Sequence, residues 1–475
     1  MKQLRPDICV IGAGSGGLSV AAAAAAFGVD VVLIEKGLMG GDCLNYGCVP
    51  SKALIAAAKA AASVANAGAF GVTAKGTGID FAKANDHLKS VIAAIAPHDS
   101  VERFEGLGVT VIKGHARFVS ESAVRVGEAE VRARRFVIAT GSAASIPPIP
   151  GLEDVPYLTN ESLFGLRQAP EHLVIIGGGP IGMEMAQAHR RLGSRVTVVE
   201  AQAALGREDR TLAGIVLSAL RDEGVEILEQ TSIDQVARTP DGVELQLRNP
   251  DGAPRVLTGS HLLLAAGRKP VVDRLDLETA GIVFEPSGIK VDKGLRTTNR
   301  RVFAIGDAAG GLQFTHVAGY HAGLVMRSLL FRLPVKENRN IIPRVTYTSP
   351  ELGHLGLSEA EAREHYGDKL KVLTADYSGN DRAQANGQTK GRLKLFAGPG
   401  GKLVGAAIAG AQAGEIINLL SLAISQNMRM KDLAGFVAPY PTVGELVRRA
   451  AISYYADAPR NIWVRRLIAV LRYFG

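Results

Sequence analysis

The chain has 475 residues, of which 47% are hydrophobic and 21% charged, with three cysteines and a net charge of +8. That length suits about three globular domains, and three cysteines argue against a structural disulfide framework. The charge is uneven: Arg448, Arg449, Arg460, Arg465, Arg466 and Arg472 stand against only Glu445 and Asp457 at the C-terminal end, which is half of the net charge. The first residues enter a strand without the basic, apolar and cleavage regions of a signal peptide, so a cytoplasmic location is expected.

Residues 7–11 read as a short apolar strand. It runs into Gly12-x-Gly14-x-x-Gly17, an Ala-rich helix, and a second strand over 29–34 that closes on Glu35. In that order these make a dinucleotide fingerprint in its proper context. Gly12 turns the chain, Gly14 lets backbone N–H groups approach a pyrophosphate, and Gly17 lets helix and strand pack closely. Glu35 falls where a carboxylate accepts from an adenosine ribose hydroxyl. Cys9, inside the first strand, is expected to be a small buried residue with no redox role.

Next comes Gly40-Gly41-Asp42-Cys43-Leu44-Asn45-Tyr46-Gly47-Cys48-Val49-Pro50-Ser51-Lys52, ahead of an Ala/Leu/Ile run over 53–62 that reads as a helix. In a regular α-helix, Cα atoms at i and i+5 are roughly 8–9 Å apart, whereas a disulfide needs less than about 7 Å. A Cys43–Cys48 bond therefore requires a distorted first turn, which Asn45 and Gly47 allow. A bond held in a bent turn is easily reduced, and a helix N-terminus stabilises thiolate. The pair is expected to be a redox disulfide. No further Cys or His stands at zinc-ligand spacing, so no resident metal is expected.

Residues 135–140 form a strand leading through Thr140-Gly141-Ser142 to the Pro-rich 146–150, a crossover between domains. The dinucleotide pattern then repeats: strand 173–176, Gly177-x-Gly179-x-x-Gly182, helix 183–192, strand 196–199 and Glu200. Two units predict two nucleotides. Glu200 would accept from a free ribose 2′-OH and repel a 2′-phosphate, which favours NADH over NADPH, while Arg207 nearby softens the preference. Ala265-Ala266-Gly267-Arg268 closes this unit. In Ala304-Ile305-Gly306-Asp307, a carboxylate follows a strand and a glycine, where it can accept from sugar-like hydroxyls or cap a helix. From about residue 341 no new fingerprint occurs. Strands over 391–397 and 402–408, split by a turn, precede a helix over 414–426. The tail 461–474 reads as a basic amphipathic helix. It is expected to pack on its own C-terminal domain, with a weak membrane-surface contact as the alternative. Nucleic acid is not expected, since charge is the only feature that would support it.

The Cys-x4-Cys followed by Val49-Pro50-Ser51-Lys52, taken with the paired fingerprints and the Asp307 motif, resembles the class I pyridine nucleotide–disulfide oxidoreductases. That family includes dihydrolipoamide dehydrogenase, glutathione reductase and mercuric reductase. The resemblance covers nearly the whole chain. It implies an α/β fold with two Rossmann-like dinucleotide-binding domains plus a C-terminal α+β dimerisation domain, glutathione-reductase-like. The implied boundaries are 1–150 and 271–340 for the two parts of the FAD domain, 151–270 for NAD(P), and 341–475 for dimerisation. FAD would be held by Gly12, Gly14, Gly17, Glu35, Lys36 and Gly41, then by Asp42, Lys52, Thr140, Gly141, Asp307 and Thr315, with His316 near the flavin. NAD would be held by Gly177, Gly179, Gly182, Glu200 and Gly267. Lys52 and Glu184 would meet beside the flavin, each the partner the other needs when buried. Cys48, deeper in its helix, would face the flavin, and Cys43 would be the exposed sulfur that meets substrate.

The family's His-Pro-x-x-x-Glu supplies an acid/base from the partner subunit of a homodimer. Here it reads Tyr440-Pro441-Thr442-Val443-Gly444-Glu445. An ordinary Tyr has a pKa of about 10 against about 6.5 for His, so Tyr440 is a poor proton shuttle near neutrality. Mercuric reductase carries Tyr at this place but also ends in a cysteine pair, and residues 454–475 hold no cysteine. Hg²⁺ would find only Cys43 and Cys48. Asp42 stands where the family usually has Thr, and an acid beside Cys43 would raise its pKa. The expected activity is that of an FAD-dependent NAD(P)H oxidoreductase resembling dihydrolipoamide dehydrogenase, exchanging electrons between nicotinamide and a thiol/disulfide substrate. A mercuric reductase-like metal reductase and a flavin quinone or oxygen reductase are the alternatives.

Overall fold

Ile8–Ile11 and Val31–Glu35 are continuous apolar runs without polar alternation, the pattern of strands covered on both faces. In the structure, a computed structural model that describes residues 2–74 and 78–474, they are the middle of a five-stranded parallel sheet. Its order is Val302–Ala304, Arg135–Ile138, Ile8–Ile11, Val31–Glu35, Thr110–Lys113. Met1 and Gly475, the ends of the expected first and last domains, lie outside the described residues. Helices Ser15–Ala26 and Thr315–Phe331 pack together, and Val10, Leu33, Val137 and Phe303 are at most 1% exposed in the shared core. Each such side chain contributes about 1.5–3 kcal/mol of burial.

The second glycine unit builds a parallel sheet in the order Glu226–Leu228, Arg195–Val199, His172–Ile176, His261–Leu264. It is followed by the antiparallel meander Ser232–Thr239, Gly242–Arg248, Pro254–Gly259. The chain divides into two compact units, Met1–Gln202 with Val225–Glu337, and Ala203–Gly224 with Asn338–Gly475. The second unit is built on a five-stranded antiparallel sheet, Arg344–Thr346, Glu351–Gly356, Leu403–Gly410, Arg392–Ala397, Lys371–Asp376. Ile417, Leu420, Leu446 and Val447, from helices Ala413–Ser425 and Glu445–Ser453, complete its core.

Gly41–Ala65 is long and apolar enough by composition to cross a bilayer. It is nevertheless an interrupted helix of the first unit, packed on Phe81–Ile95 and Pro180–Arg191. The tail forms the helix Ile462–Leu471 as expected, but none of its residues is buried. The expected packing on its own domain is therefore not found. The turn Ala458–Arg460, with Pro459 in it, separates this helix from Glu445–Ser453 and is its principal contact.

Candidate active site

The two glycine loops are built alike. Gly12 and Gly177 have φ of +104° and +112°, and a Cβ at either would lie 2.4 Å from a carbonyl oxygen, that of Ala139 or Ala265. Only glycine fits both the left-handed backbone and the close approach. A Cβ on Gly17 or Gly182 would fall 1.8 or 2.0 Å from the oxygen of Gly12 or Gly177, so helix and strand touch there. Glu35 accepts from the N–H groups of Ala13 and Gly37, both at 2.6 Å. Glu200 repeats the device with Gly178 at 2.7 Å and Gln202 at 2.8 Å. Each carboxylate thus pins its own glycine loop and keeps lone pairs for a ribose.

Beside these loops the chain leaves room for nucleotides. A Cβ on Gly179 would meet nothing within 4 Å, and one on Gly14 only the Gly41 Cα at 3.9 Å. Both spaces open at helix N-termini, where N–H groups and the helix dipole favour a pyrophosphate. A pocket adjoins the first loop, lined by Gly12, Glu35, Lys36, His115 and Thr140. The residues present therefore fit two dinucleotides. Thr140 donates its hydroxyl to the Val271 carbonyl at 2.6 Å. Gly141 and Gly267 lead into Ser142–Ala144 and Arg268–Pro270, which pair antiparallel.

The helix carrying Cys43 ends at Asn45 and a new one starts at Cys48, with Gly47 between them at φ −125°, ψ −114°. This is the distorted turn that the cysteine spacing demands. Space at Gly47 is tight, since a Cβ there would lie 3.0 Å from the Asp42 carbonyl oxygen and 3.3 Å from the Cys43 Cα. Asn45 Nδ2 donates to the carbonyls of Met39 and Gly41 at 3.0 and 2.8 Å and ties the segment back.

The cysteines are in the dithiol form, and their sulfurs share a hydrogen bond. That bond, donated by Cys43, is the main reason the Cys48 thiol is lowered to about 6; Thr315 and the Lys52 charge add to it. Thr315 Oγ1 is 3.3 Å from Cys48 Sγ. The Cys43 thiol is pushed up, first by the same bond and then by burial. The negative charge therefore sits on Cys48 and the proton on Cys43. In the polypeptide by itself Cys48 is exposed and Cys43 half-buried. Cys9 is fully buried, and burial pushes its thiol up.

Asp42 does not act as expected. Its carboxylate accepts from Asn160 Nδ2 at 2.7 Å and pairs with Arg268 Nη2 at 3.1 Å. It is not among the main causes that raise Cys43, and it opposes the lowering of Cys48 less than burial does. Arg268 also donates to the Ser142 hydroxyl at 2.8 Å and carbonyl at 2.9 Å. Ser142 in turn donates to Asp307, whose carboxyl is pushed up by burial. Asp42, Arg268, Ser142 and Asp307 thus form one chain of polar contacts beside the cysteines.

Lys52 Nζ lies 2.8 Å from Glu184 Oε2, and only 5% of Glu184 is exposed. Helices Cys48–Ala65 and Pro180–Arg191 pack together and bring the pair into contact. His321, which the sequence did not flag, accepts from the Gly306 N–H at Nδ1, 3.1 Å, and faces Glu337 Oε1 through Nε2 at 3.0 Å. It therefore carries its proton on Nε2 and fixes the turn that holds Asp307. Its partners lie far from it in sequence, so only its place on a mainly apolar helix could have drawn notice. His316 stacks on Phe314 with ring centroids 5.2 Å apart.

Tyr440 and Glu445 lie in the second unit. Tyr440 is exposed and donates its hydroxyl to Asp381 Oδ2 at 3.0 Å, and this carboxylate pushes the phenol pKa above its ordinary value. Glu445 Oε2 accepts from the Thr442 N–H at 3.3 Å.

Comparison with known proteins agrees with this geometry. The family described as pyridine nucleotide-disulphide oxidoreductase matches residues 6–322, and its dimerisation domain matches residues 342–451. The chain is 35% identical to the mercuric reductase of Streptomyces lividans over 96% of this chain and 97% of that one. It is 34% identical to the mercuric reductase of Bacillus cereus, over 96% and 72%. It is 33% identical to the dihydrolipoyl dehydrogenase of Bacillus subtilis, over 94% and 98%. Among solved structures it is similar to the HOCl-induced flavoprotein disulfide reductase RclA from Escherichia coli. The TM-score is 0.84 at 29% identity, covering 94% of this chain and 99% of that one.

Proposed function

The chain belongs to the pyridine nucleotide-disulphide oxidoreductase family, and from that premise we propose that it works as a reductase, passing electrons from NADH to a disulfide that meets Cys43. The family uses FAD and a pyridine nucleotide, and FAD, when bound, supplies the two-electron link between nicotinamide and the cysteine pair. The chain's own residues do the rest. Lys52, paired with Glu184, provides a fixed cation beside Cys48. The two sulfurs share one proton, so Cys43 becomes the nucleophile when its proton passes to Cys48. Cys43 then attacks one sulfur of the acceptor and releases the other as thiolate. Cys48 attacks Cys43, the Cys43–Cys48 bond forms, and the second product sulfur leaves with the pair's proton.

The observation that carries this direction is the Tyr440–Asp381 hydrogen bond. Oxidising a neutral dithiol requires a base near pH 7, and a phenol raised above its ordinary pKa is not one. Glu200, at the end of its strand, supports NADH as the donor, because a carboxylate there repels a 2′-phosphate. The dimerisation-domain match supports a homodimer, and a reducing cytoplasm suits a catalytic disulfide. A second reading, in which a soft metal ion is reduced at Cys43 and Cys48, is favoured by Tyr440 together with the relatives named mercuric reductase and the solved Cu(II) complex of RclA. Thiolates select such ions.

The test is NADH oxidation with a small aromatic disulfide, Hg²⁺ and a quinone as acceptors, beside dihydrolipoamide oxidation by NAD⁺. The expected result is disulfide turnover that Cys43→Ala abolishes. Dihydrolipoamide oxidation should be weak and should rise by about 10²-fold in Tyr440→His. Quinone turnover that survives Cys43→Ala would refute the proposal, and turnover confined to Hg²⁺ would select the second reading.

A further inference from the structure

We propose that the C-terminal helix Ile462–Leu471 docks the protein on an anionic membrane surface, lying in the plane of the lipid headgroups. The helix lies beyond the matched dimerisation domain, which ends at residue 451, and none of its residues is buried. Trp463 is 71% exposed, Leu467 58% and Phe474 84%. At about 100° per residue, Trp463, Leu467, Val470 and Leu471 fall on one arc of about 100°, with Arg465 opposite it and Arg466 at its edge. A continuous exposed apolar face of this kind marks an interaction surface. The helix start is fixed: Asn461 Oδ1 accepts from the N–H groups of Trp463 and Val464 at 2.9 and 3.4 Å. Arg466 lies over the Trp463 ring, 5.3 Å from its centroid.

Charge selects the occupant. From residue 458 to 474 there are four arginines and no acid. A second copy of the same helix would bring like charges together, whereas an anionic lipid surface is complementary to them. Trp463 and Tyr473 suit the boundary between headgroups and hydrocarbon. At about 1.5 Å per residue the helix is roughly 15 Å long, half the thickness of a hydrocarbon core of about 30 Å. It can therefore lie on a bilayer but cannot span one. The proposal is independent of the acceptor that the cysteines reduce.

The test is sedimentation of the full-length, flavin-loaded protein with vesicles of phosphatidylcholine, with and without phosphatidylglycerol. Binding is expected only when phosphatidylglycerol is present, and it should fall as salt rises. Each basic residue strengthens binding by about fivefold, so Arg465→Gln with Arg466→Gln should weaken it by about 25-fold. A chain ending at Asp457 should stay dimeric and yellow but fail to sediment. No binding by the full chain would overturn the proposal, as would equal binding to pure phosphatidylcholine or an unaffected double variant. Loss of the dimer on truncation would also overturn it, because a second copy would then be what covers the helix.

Discussion

Removing the Cys43 thiol should raise the pKa of Cys48. The largest cause of its low value, about 6, is the hydrogen bond from Cys43. A hydrogen bond to a charged group contributes about 1.5–3 kcal/mol, and about 1.36 kcal/mol corresponds to one pH unit. Cys43→Ala should therefore move the Cys48 midpoint up by about one to two pH units, toward a free cysteine at about 8.5, with burial then opposing the lowering by Thr315 and Lys52. The sign is that of a depressed acid: Cys48 is thiolate above its midpoint and loses its charge as pH falls through it. The assay is the pH dependence of iodoacetamide alkylation on the reduced, flavin-free protein, read at Cys48 by peptide mass spectrometry. Cys48 is exposed and should be reachable. A wild-type midpoint near 8.5, or a midpoint that Cys43→Ala leaves in place, would refute the reasoning.

The two glycine loops should separate the two nucleotides. Gly12→Ala forces a Cβ into the Ala139 carbonyl and should yield colourless protein, whereas Gly177→Ala should stay yellow and lose NADH-dependent turnover; absorbance and steady-state rates check both. Lys52→Met takes the cation from a carboxylate that is 5% exposed. It should cost about 2 kcal/mol, less than a fully buried pair because Lys52 is itself partly exposed, and adding Glu184→Gln should recover part of the loss in thermal midpoint. Arg268→Met should cost about 1–3 kcal/mol by releasing Asp42 and Ser142 together. The Asp42→Asn/Arg268→Met double variant should cost less than the sum of the single changes, since the two sites share one contact.

What could be read from the sequence was what repeats or is local. Gly12 to Glu35 and Gly177 to Glu200 state their folds twice over, because a tight turn, a close helix–strand contact and a terminal carboxylate each need a particular residue at a fixed spacing. The Cys43–Cys48 spacing required a broken turn, and Gly47 is that break. The meeting of Lys52 and Glu184 came only through the family resemblance, since 132 residues separate them. Arg268, Ser142 and His321 were missed because their partners are distant in sequence. The Asp42 expectation failed for the same reason: the carboxylate's neighbour in sequence is Cys43, but its neighbours in space are Arg268 and Asn160. The tail was legible as a helix, yet its failure to pack depends on a tertiary surface that periodicity does not describe.

The central claim is that electrons from the nicotinamide come to rest on Cys43 and Cys48. An anaerobic NADH titration of the flavin-loaded protein, followed by absorption and by thiol counting, tests it most directly. At two electrons per flavin a long-wavelength band from the Cys48 thiolate against a still-yellow flavin should appear, with two new titratable thiols, and no such thiols in Cys43→Ala. A flavin that bleaches with no band and no thiols would contradict it.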